Sequence, residues 1–332
     1  MRTFVASELV MKSLYSRTLL AIVLLMSLLL LVGCTFQIQE GQIQEGIGTE
    51  GDTTMSAGNA STLVESGYAP VNGLNMYYEI HGASQGTDLP LVLLHGAFSS
   101  IEPDFGQMIP IFANRRQVIA VEQQGHGHTA DIERPLRYEL MTDDTVALLQ
   151  HLSIEKADFF GYSFGGEVAM QIAYHHPEMV RKLVLAGGTA YNLEGLHPGL
   201  MEGLDNMPPD ALDGTPWKEA YDKVAPNPED WATLVVKKNE MDHHYQPWTP
   251  EQIQSFKAPM LIMVGDSDIV RPEHVVEMFR LVGGGVVGDL VGLPASQLAI
   301  LPGTTHVTVV YRVDWVTSMT NEFLNAPMPE TQ

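Results

Sequence analysis

Residues 161–165 read Gly-Tyr-Ser-Phe-Gly, and the fold can be inferred outward from this pentapeptide. An apolar run at residues 157–160 precedes it, and apolar residues recur at helical spacing over residues 167–173 after it. This order predicts a strand, a sharp turn and a helix. The flanking glycines leave room for the neighbouring strand and helix, so the hydroxyl of Ser163 is expected to project into open space above a sheet.

Outward from this turn, short apolar runs alternate with helical patterns. A continuous apolar run is typical of a strand that is buried on both faces of a parallel sheet. Strands that alternate with helices predict an α/β fold, a doubly wound and mostly parallel sheet whose ligand site lies beyond the carboxyl ends of the strands. The predicted strands are residues 74–80, 89–94, 117–121, 157–160, 183–186, 260–264 and 298–301, and the predicted helices include residues 140–152 and 315–324.

Residues 191–256 interrupt this alternation. They are rich in methionine, tryptophan and proline, and they lie between two predicted strands. An insertion at this point stands above the carboxyl ends of the strands, so we expect a mainly helical cap over the site. Most of its large apolar side chains are expected to form the cap's own core, and one or two to face the ligand. These side chains are Met201, Met207, Trp217, Tyr221, Trp231, Met241 and Trp248.

A serine hydroxyl becomes a strong nucleophile only when a base takes its proton and a third group holds that base in one tautomer. Both partners are present at predicted strand ends. Asp266 and Asp268 directly follow the strand at residues 260–264, and His306 directly follows the last strand. The chain order of Ser163, an aspartate and His306 is one in which such triads occur on α/β sheets.

With these motifs, residues 70–325 resemble the α/β-hydrolase superfamily, in particular its small bacterial esterase and haloperoxidase-like branch. The resemblance implies that Ser163 is the nucleophile, His306 the base and Asp268 the orienting acid. Asp266 remains the alternative acid, because it lies nearer to the strand, whereas the spacing in the family favours Asp268.

The resemblance also implies an oxyanion hole built from backbone N–H groups. The strand at residues 89–94 runs into the turn His-Gly-Ala-Phe at residues 95–98. In the family, the N–H of the residue after His-Gly acts together with the N–H of the residue after the nucleophile. Ala97 and Phe164 are therefore the expected donors, and His95 is expected to brace the loop.

The reaction that the resemblance implies is hydrolysis of a carboxylic ester of a small or medium apolar substrate, through an acyl-enzyme intermediate. No cofactor is expected. Related families use the same triad for C–C bond hydrolysis, lactone hydrolysis and perhydrolysis, and the triad does not separate these reactions, because the cap and the pocket select the substrate. Outside the enzymes, the alternative is a protein that keeps the hydrolase fold to sense a small ligand without turnover.

The amino-terminal region is typical of an export signal. Basic residues precede an apolar run at residues 19–32, which is short for a membrane span and suits a signal-peptide core. The sequence Leu-Val-Gly-Cys at residues 31–34 resembles the lipobox of bacterial lipoproteins. We therefore expect residues 1–34 to be a signal peptide, Cys34 to be acylated, and the protein to be exported and anchored to a bacterial membrane. An ordinary secretory signal and a short uncleaved anchor are the alternatives.

Residues 35–68 are expected to form a flexible acidic tether to a hydrolase domain at residues 69–326, with a short tail at residues 327–332. The tether is rich in glutamine, glutamate, glycine, threonine and serine, and such a segment cannot bury enough apolar surface to order itself. The whole chain of 332 residues has a formal net charge of −22, which makes nucleic acid a poor partner.

Three further patterns do not change the expected function. Residues 283–288 match Gly-x-Gly-x-x-Gly, but they follow a helical pattern at residues 275–281, and a dinucleotide site needs the reverse order of strand and then helix. Glu122 stands before a Gly-x-Gly turn where the resembled family usually carries aspartate. Several histidines lack the cysteines or tight carboxylate sets that are typical of metal sites, so no metal is expected. They are His126, His128, His175, His176, His243 and His244.

Overall fold

The computed structural model describes residues 62–83, 89–188, 190–200, 203 and 207–328. The predicted signal peptide with Cys34, residues 35–61 of the predicted tether and the last four residues of the chain lie outside the described residues. Within the described ranges, no helix has both the length and the apolar character that crossing a bilayer requires.

Among the described residues, eight strands form a single sheet. They are β1 (Leu63–Val71), β2 (Leu74–His81), β3 (Leu91–Leu94), β4 (Val118–Val121), β5 (Ala157–Tyr162), β6 (Val180–Ala186), β7 (Met260–Ser267) and β8 (Gln297–Thr305). Their order across the sheet is β1-β2-β4-β3-β5-β6-β7-β8. The pairs β1–β2 and β2–β4 are antiparallel, and all the other pairs are parallel. The predicted mostly parallel α/β sheet is therefore confirmed.

Helices cover both faces of the sheet. α3 (Tyr138–His151) and α4 (Phe164–His175) contribute Leu148 and Val168 to one buried cluster, and α2 (Ile109–Ala113) and α10 (Val313–Asn325) contribute Phe112 and Phe323 to the other. The sheet is thus doubly wound, as predicted. The helices are α1 (Ile101–Phe105), α2 (Ile109–Ala113), α3 (Tyr138–His151), α4 (Phe164–His175), α5 (Pro216–Val224), α6 (Trp231–His243), α7 (Pro250–Ser255), α8 (Pro272–Leu281), α9 (Gly288–Val291) and α10 (Val313–Asn325).

The central strand β3 explains why the strands read as continuous apolar runs. Val92 and Leu94 point into the cluster on one face, and Leu91 and Leu93 into the cluster on the other. All four side chains are 0% exposed. Because side chains alternate between faces, a strand covered on both sides needs an apolar residue at every position. Burying each such side chain contributes on the order of 1.5–3 kcal/mol to stability.

The first strand corrects the predicted boundary of the tether. β1 begins at Leu63, whereas the sequence interpretation placed residues 35–68 in the tether and the start of the domain at Ala69. β1 pairs with β2 along its length, yet most side chains of residues 63–68 are exposed. Residues 63–68 of this edge strand are held mainly by backbone hydrogen bonds rather than by burial. A segment without a buried face shows no apolar alternation, which is why its sequence resembles a tether.

Between β6 and β7 the chain leaves the sheet, and this excursion contains the helices α5, α6 and α7. They lie within residues 191–256, the segment predicted to form the cap. Trp231, at the start of α6, is 2% exposed. Its ring centroid lies 5.1 Å from that of Tyr221 in α5 and 5.9 Å from that of Phe98 after β3. Trp231 therefore packs the helices of the excursion on each other and onto the loop that follows β3.

Candidate active site

Ser163 lies in a strained turn between β5 and α4, with φ +51° and ψ −115°. A residue with a side chain adopts such a backbone conformation only when the surrounding structure enforces it. The neighbouring glycines make the turn possible. A Cβ on Gly165 would lie 2.1 Å from the carbonyl oxygen of Leu94, and a Cβ on Gly161 would lie 2.4 Å from that of Gly165. Strand and helix can approach this closely only without those side chains, and Ser163 then lines a cavity.

The structure brings Ser163, His306 and Asp268 into one hydrogen-bonded chain. Oγ of Ser163 lies 2.8 Å from Nε2 of His306, and Nδ1 of His306 lies 2.8 Å from Oδ1 of Asp268. The three residues directly follow β5, β8 and β7, respectively. When Nδ1 donates its proton to the carboxylate, the lone pair on Nε2 is directed at the serine hydroxyl. This geometry allows His306 to act as a general base toward Ser163.

The two candidate acids have different environments. Asp268 is 3% exposed, and besides His306 it accepts a backbone hydrogen bond at 3.2 Å. Asp266 is exposed, and its carboxylate accepts the N–H groups of Gly303 at 2.9 Å and Thr304 at 3.2 Å. These backbone donors hold the pKa of Asp266 below its usual value. Asp268 therefore contacts the base, whereas Asp266 fastens the end of the strand that carries His306.

The segments that carry the two predicted oxyanion donors meet beside Ser163. Phe164 is the first residue of α4, and Ala97 lies in the turn after β3, the strand that pairs with β5. The two segments are in close contact, because a Cβ on Gly165 would lie 2.7 Å from the carbonyl oxygen of His95. Two backbone N–H groups placed on such segments can stabilise a developing oxyanion.

Buried polar side chains hold the turn after β3. The carboxylate of Asp104 accepts the N–H of Gly96 and the hydroxyl of Ser99, both at 2.7 Å. Nδ1 of His95 donates to the carbonyl oxygen of Gly96 at 2.7 Å, and Nε2 accepts the N–H of Gln123 at 3.1 Å. Burial lowers the pKa of His95, so the ring stays neutral. Both ring nitrogens are thus occupied by the backbone, and His95 braces the loop as predicted.

Asp104 predicts a pH dependence of stability. Burial is the main reason that its pKa rises from 3.8 to about 6. Between these values the native protein binds a proton that the unfolded chain has released, so this carboxyl lowers the free energy of unfolding as the pH rises. Between about pH 4 and about pH 8, Asp104→Asn is expected to gain up to roughly 3 kcal/mol relative to wild type in chemical denaturation.

The control for this measurement is Asp143→Asn, which changes an exposed carboxyl in α3. It measures the effect of removing one negative charge at an exposed position, and the gain of Asp104→Asn with rising pH is expected to exceed that effect. A difference between Asp104→Asn and wild type that is independent of pH would contradict the titration of a buried Asp104.

Glu122 joins the end of β4 to the following Gly-x-Gly turn. Its carboxylate accepts the backbone N–H of His128, lies 3.0 Å from Nδ1 of the same residue, and accepts the N–H of Ile101 at 3.3 Å. The bond to Glu122 raises the pKa of His128. A Cβ on Gly127 would lie 2.3 Å from the carboxyl group, so the turn needs glycine there. Glutamate in place of aspartate thus still ties this turn to the start of α1.

The histidines and the glycine-rich segment noted in the sequence do not form a common site among the described residues. Nδ1 of His126 lies 2.9 Å from the carbonyl oxygen of Gln124, whereas His128 binds Glu122. In the part of the chain that the structure describes, no group of three or more His, Cys, Asp or Glu side chains could hold a metal ion. Residues 283–288 follow α8 and lead through α9 to β8, which is the helix-to-strand order expected.

Ser163 and His306 line a cavity of about 160 Å³. Part of its wall is apolar and part is polar. The polar part was missed in the sequence analysis. Glu167 interrupts an otherwise apolar helical pattern directly after Ser163, and that interruption was the available signal. Lys238 and Asp242 lie four residues apart on a helix, and such charged pairs usually face water. Their sequence therefore gave no sign that they line a cavity. The lining side chains include Tyr138, Phe164, Glu167, Asn192, Leu193, Leu196, Lys238, Asp242, Tyr245, Ile269 and Val270.

Comparisons with known proteins agree with this fold. Residues 90–241 match a family model described as alpha/beta hydrolase fold. A putative esterase/lipase from Haemophilus influenzae is 23% identical over 269 residues, which cover 75% of this chain and 88% of the relative. A 2-hydroxymuconate semialdehyde hydrolase from a Pseudomonas species is 35% identical over 150 residues, 41% of this chain and 50% of the relative.

Among solved structures, the enol-lactonase from Burkholderia xenovorans has a TM-score of 0.59 and 19% sequence identity. The alignment covers 78% of this chain and 100% of that structure. The sheet, the strained serine turn, the family model and the relatives lead to one conclusion: the chain has the α/β-hydrolase fold and is a hydrolase.

Proposed function

We propose that the protein hydrolyses a carboxylic ester through an acyl-enzyme intermediate. The observation that carries this proposal is the hydrogen-bonded chain from Ser163 through His306 to Asp268, with Ser163 open to a cavity. A weak nucleophile, a base and an orienting acid in this geometry are suited to acyl transfer. The likeness to an esterase/lipase supports the same class of reaction.

In this mechanism Oγ of Ser163 attacks the ester carbonyl carbon while Nε2 of His306 accepts the hydroxyl proton. Asp268 keeps the imidazole in place through Nδ1 and stabilises the imidazolium. The N–H groups of Ala97 and Phe164 donate to the oxyanion of the tetrahedral intermediate. His306 then gives its proton to the departing alcohol, and the acyl group stays on Ser163. Water that loses a proton to His306 attacks the acyl-enzyme, and release of the acid restores the serine hydroxyl.

The cavity supports an ester with a small or medium apolar part. Its volume of about 160 Å³ is below the roughly 300–1,000 Å³ that is usual for pockets of drug-sized ligands. Leu196, Ile269 and Val270 line it beside the reacting residues and can contact a short carbon chain.

A series of p-nitrophenyl esters tests the proposal. The full-length protein, purified in mild detergent, is expected to hydrolyse the acetate and butyrate esters faster than the laurate ester, because the cavity is too small for a long chain.

C–C bond hydrolysis is the second candidate, favoured by the likeness to the 2-hydroxymuconate semialdehyde hydrolase. If a fluorophosphonate labelled Ser163 but no ester turned over, ester hydrolysis would be contradicted. Turnover of a C–C substrate would then support the second candidate, and no turnover at all would support a ligand sensor.

We also propose that the protein is exported and anchored by a lipid on Cys34. The apolar run at residues 19–32 and the sequence Leu-Val-Gly-Cys that follows support this. In a detergent phase partition, Cys34→Ala is expected to move the protein from the detergent phase to the aqueous phase. Because Cys34 is the only cysteine, labelling with a fatty acid should disappear as well. Equal partition of the two proteins would contradict the lipid anchor.

A further inference from the structure

The cavity beside Ser163 has a polar wall that the proposed ester hydrolysis does not use. This polar wall consists of Glu167, Asn192, Lys238, Asp242 and Tyr245. It includes residues of α4, the helix that begins directly after Ser163, and of the cap helix α6. A small cavity with a few convergent polar groups fixes the orientation of its ligand and selects it by chemistry.

Glu167 is the central member of the polar wall. It is the fourth residue after Ser163 and lies in the first turn of α4, and both side chains line the cavity. Glu167 is only 4% exposed. Its Oε1 accepts the indole N–H of Trp248 at 2.9 Å and the amide of Gln171 at 3.0 Å. These bonds fix the position of a buried carboxyl group within reach of a ligand at Ser163.

The polar wall carries a negative charge when Glu167 is ionised. Nζ of Lys238 lies 2.6 Å from both carboxylate oxygens of Asp242, so this pair is neutral in sum. The donors to Glu167 are uncharged. Oδ1 of Asn192 is a buried acceptor without a hydrogen-bond partner among the described residues. The wall therefore offers acceptors that need a donor, and a buried carboxylate that needs a cation.

We propose that Glu167 makes the polar wall a recognition site for an amino group on the substrate, carried a few carbons away from the ester carbonyl. This inference rests on the proposed ester hydrolysis, because the amine would be bound beside the serine that attacks the ester. An ammonium group donates up to three hydrogen bonds, which the carboxylate of Glu167 and Oδ1 of Asn192 can accept. The apolar side chains of the cavity then contact the carbon chain between the two groups.

The charge state of Glu167 agrees with this role. Burial is the main reason that its pKa rises from 4.5 to about 7, with Glu139 as a further cause. A nearby cation favours the ionised form, so an arriving ammonium group stabilises the carboxylate that binds it. An anionic substrate group would instead disfavour the ionised form of Glu167.

Glu167 also contacts the cap through Trp248, and the test must separate that structural role from recognition. Glu167→Gln keeps an oxygen that can accept the indole N–H and removes the negative charge. Glu139→Gln is the matched control. It makes the same chemical change at an exposed residue whose charge acts on Glu167 but which is outside the cavity lining.

The experiment is isothermal titration calorimetry of n-hexylammonium, 1-hexanol and hexanoate into full-length Ser163→Ala protein at about pH 8. At this pH the alkylamine is protonated. Hexylammonium is expected to bind about tenfold or more tightly than hexanol, since a charged hydrogen bond is stronger than a neutral one, and hexanoate is expected to bind most weakly. Adding Glu167→Gln should remove the preference for the amine, and adding Glu139→Gln should retain it.

Equal affinities for hexylammonium and hexanol would overturn the amine site. A preference for hexylammonium that survives Glu167→Gln would also overturn it. So would an equal loss of that preference in Glu139→Gln, because the preference would then reflect the overall charge of the region. Turnover of p-nitrophenyl acetate by the wild-type protein is measured in parallel. Its absence would contradict ester hydrolysis, whereas calorimetry on Ser163→Ala reports on the amine site without any turnover.

Discussion

The Ser163→Ala protein is expected to hydrolyse p-nitrophenyl acetate with a kcat about 10⁶-fold below that of wild type. The substitution removes the atom that forms the acyl-enzyme in the proposed mechanism, while His306 and Asp268 keep their hydrogen bond. Stabilisation by the backbone donors and substrate binding remain, and together they are expected to leave about 10³- to 10⁴-fold catalysis over water. Steady-state kinetics with active-site titration of the wild type measures the loss.

Ser153→Ala is the matched control for this variant. Ser153 also has a positive φ, +60°, but it lies at an exposed turn after α3, away from the cavity lining. Its replacement is expected to leave kcat unchanged. If Ser163→Ala and Ser153→Ala had similar kcat values, with both proteins folded by circular dichroism, Ser163 would not be the nucleophile.

The Asp268→Asn protein is expected to lose about 10⁴-fold in kcat while it remains folded. The amide that replaces the carboxylate can turn its NH₂ group toward Nδ1 of His306, so the imidazole proton moves to Nε2. A ring with its proton on Nε2 cannot accept the proton of Ser163. The loss should appear in kcat more than in KM, because the orienting acid acts in the transition state.

Asp266→Asn separates the two aspartates that the sequence left open. Asp266 accepts hydrogen bonds from the N–H groups of Gly303 and Thr304, so its replacement is expected to loosen the end of β8 before His306 and to lower kcat far less than Asp268→Asn does. Thermal denaturation shows whether each variant is folded. A greater loss of kcat in Asp266→Asn than in Asp268→Asn would reverse the assignment of the acid.

Elements that are buried on both faces were predictable from the sequence. β3, β5 and β7 contain apolar runs because the apolar side chains of these strands enter one or the other of the two cores. β1 was missed over residues 63–68 because an exposed edge strand depends on backbone pairing, and backbone pairing has no composition of its own. The polar wall was missed for a related reason, since the charges of Lys238 and Asp242 look the same in sequence whether their helix faces water or a cavity.

The α/β-hydrolase fold and the residue types of the candidate site could be predicted from the sequence alone, because a strained turn needs glycines at fixed spacing around Ser163 and because parallel strands place their carboxyl ends at one edge. The contact between Asp268 and His306 is known only from the three-dimensional structure, since the two aspartates lie two residues apart at the end of β7 and the backbone there turns only Asp268 toward the histidine. Only the tertiary structure joined Glu167 to the cap, because a helix and an insertion far apart in sequence meet through packing. Glycine spacing and apolar runs thus predict a turn and a strand, whereas contacts between segments distant in sequence determine which charged side chains line the cavity.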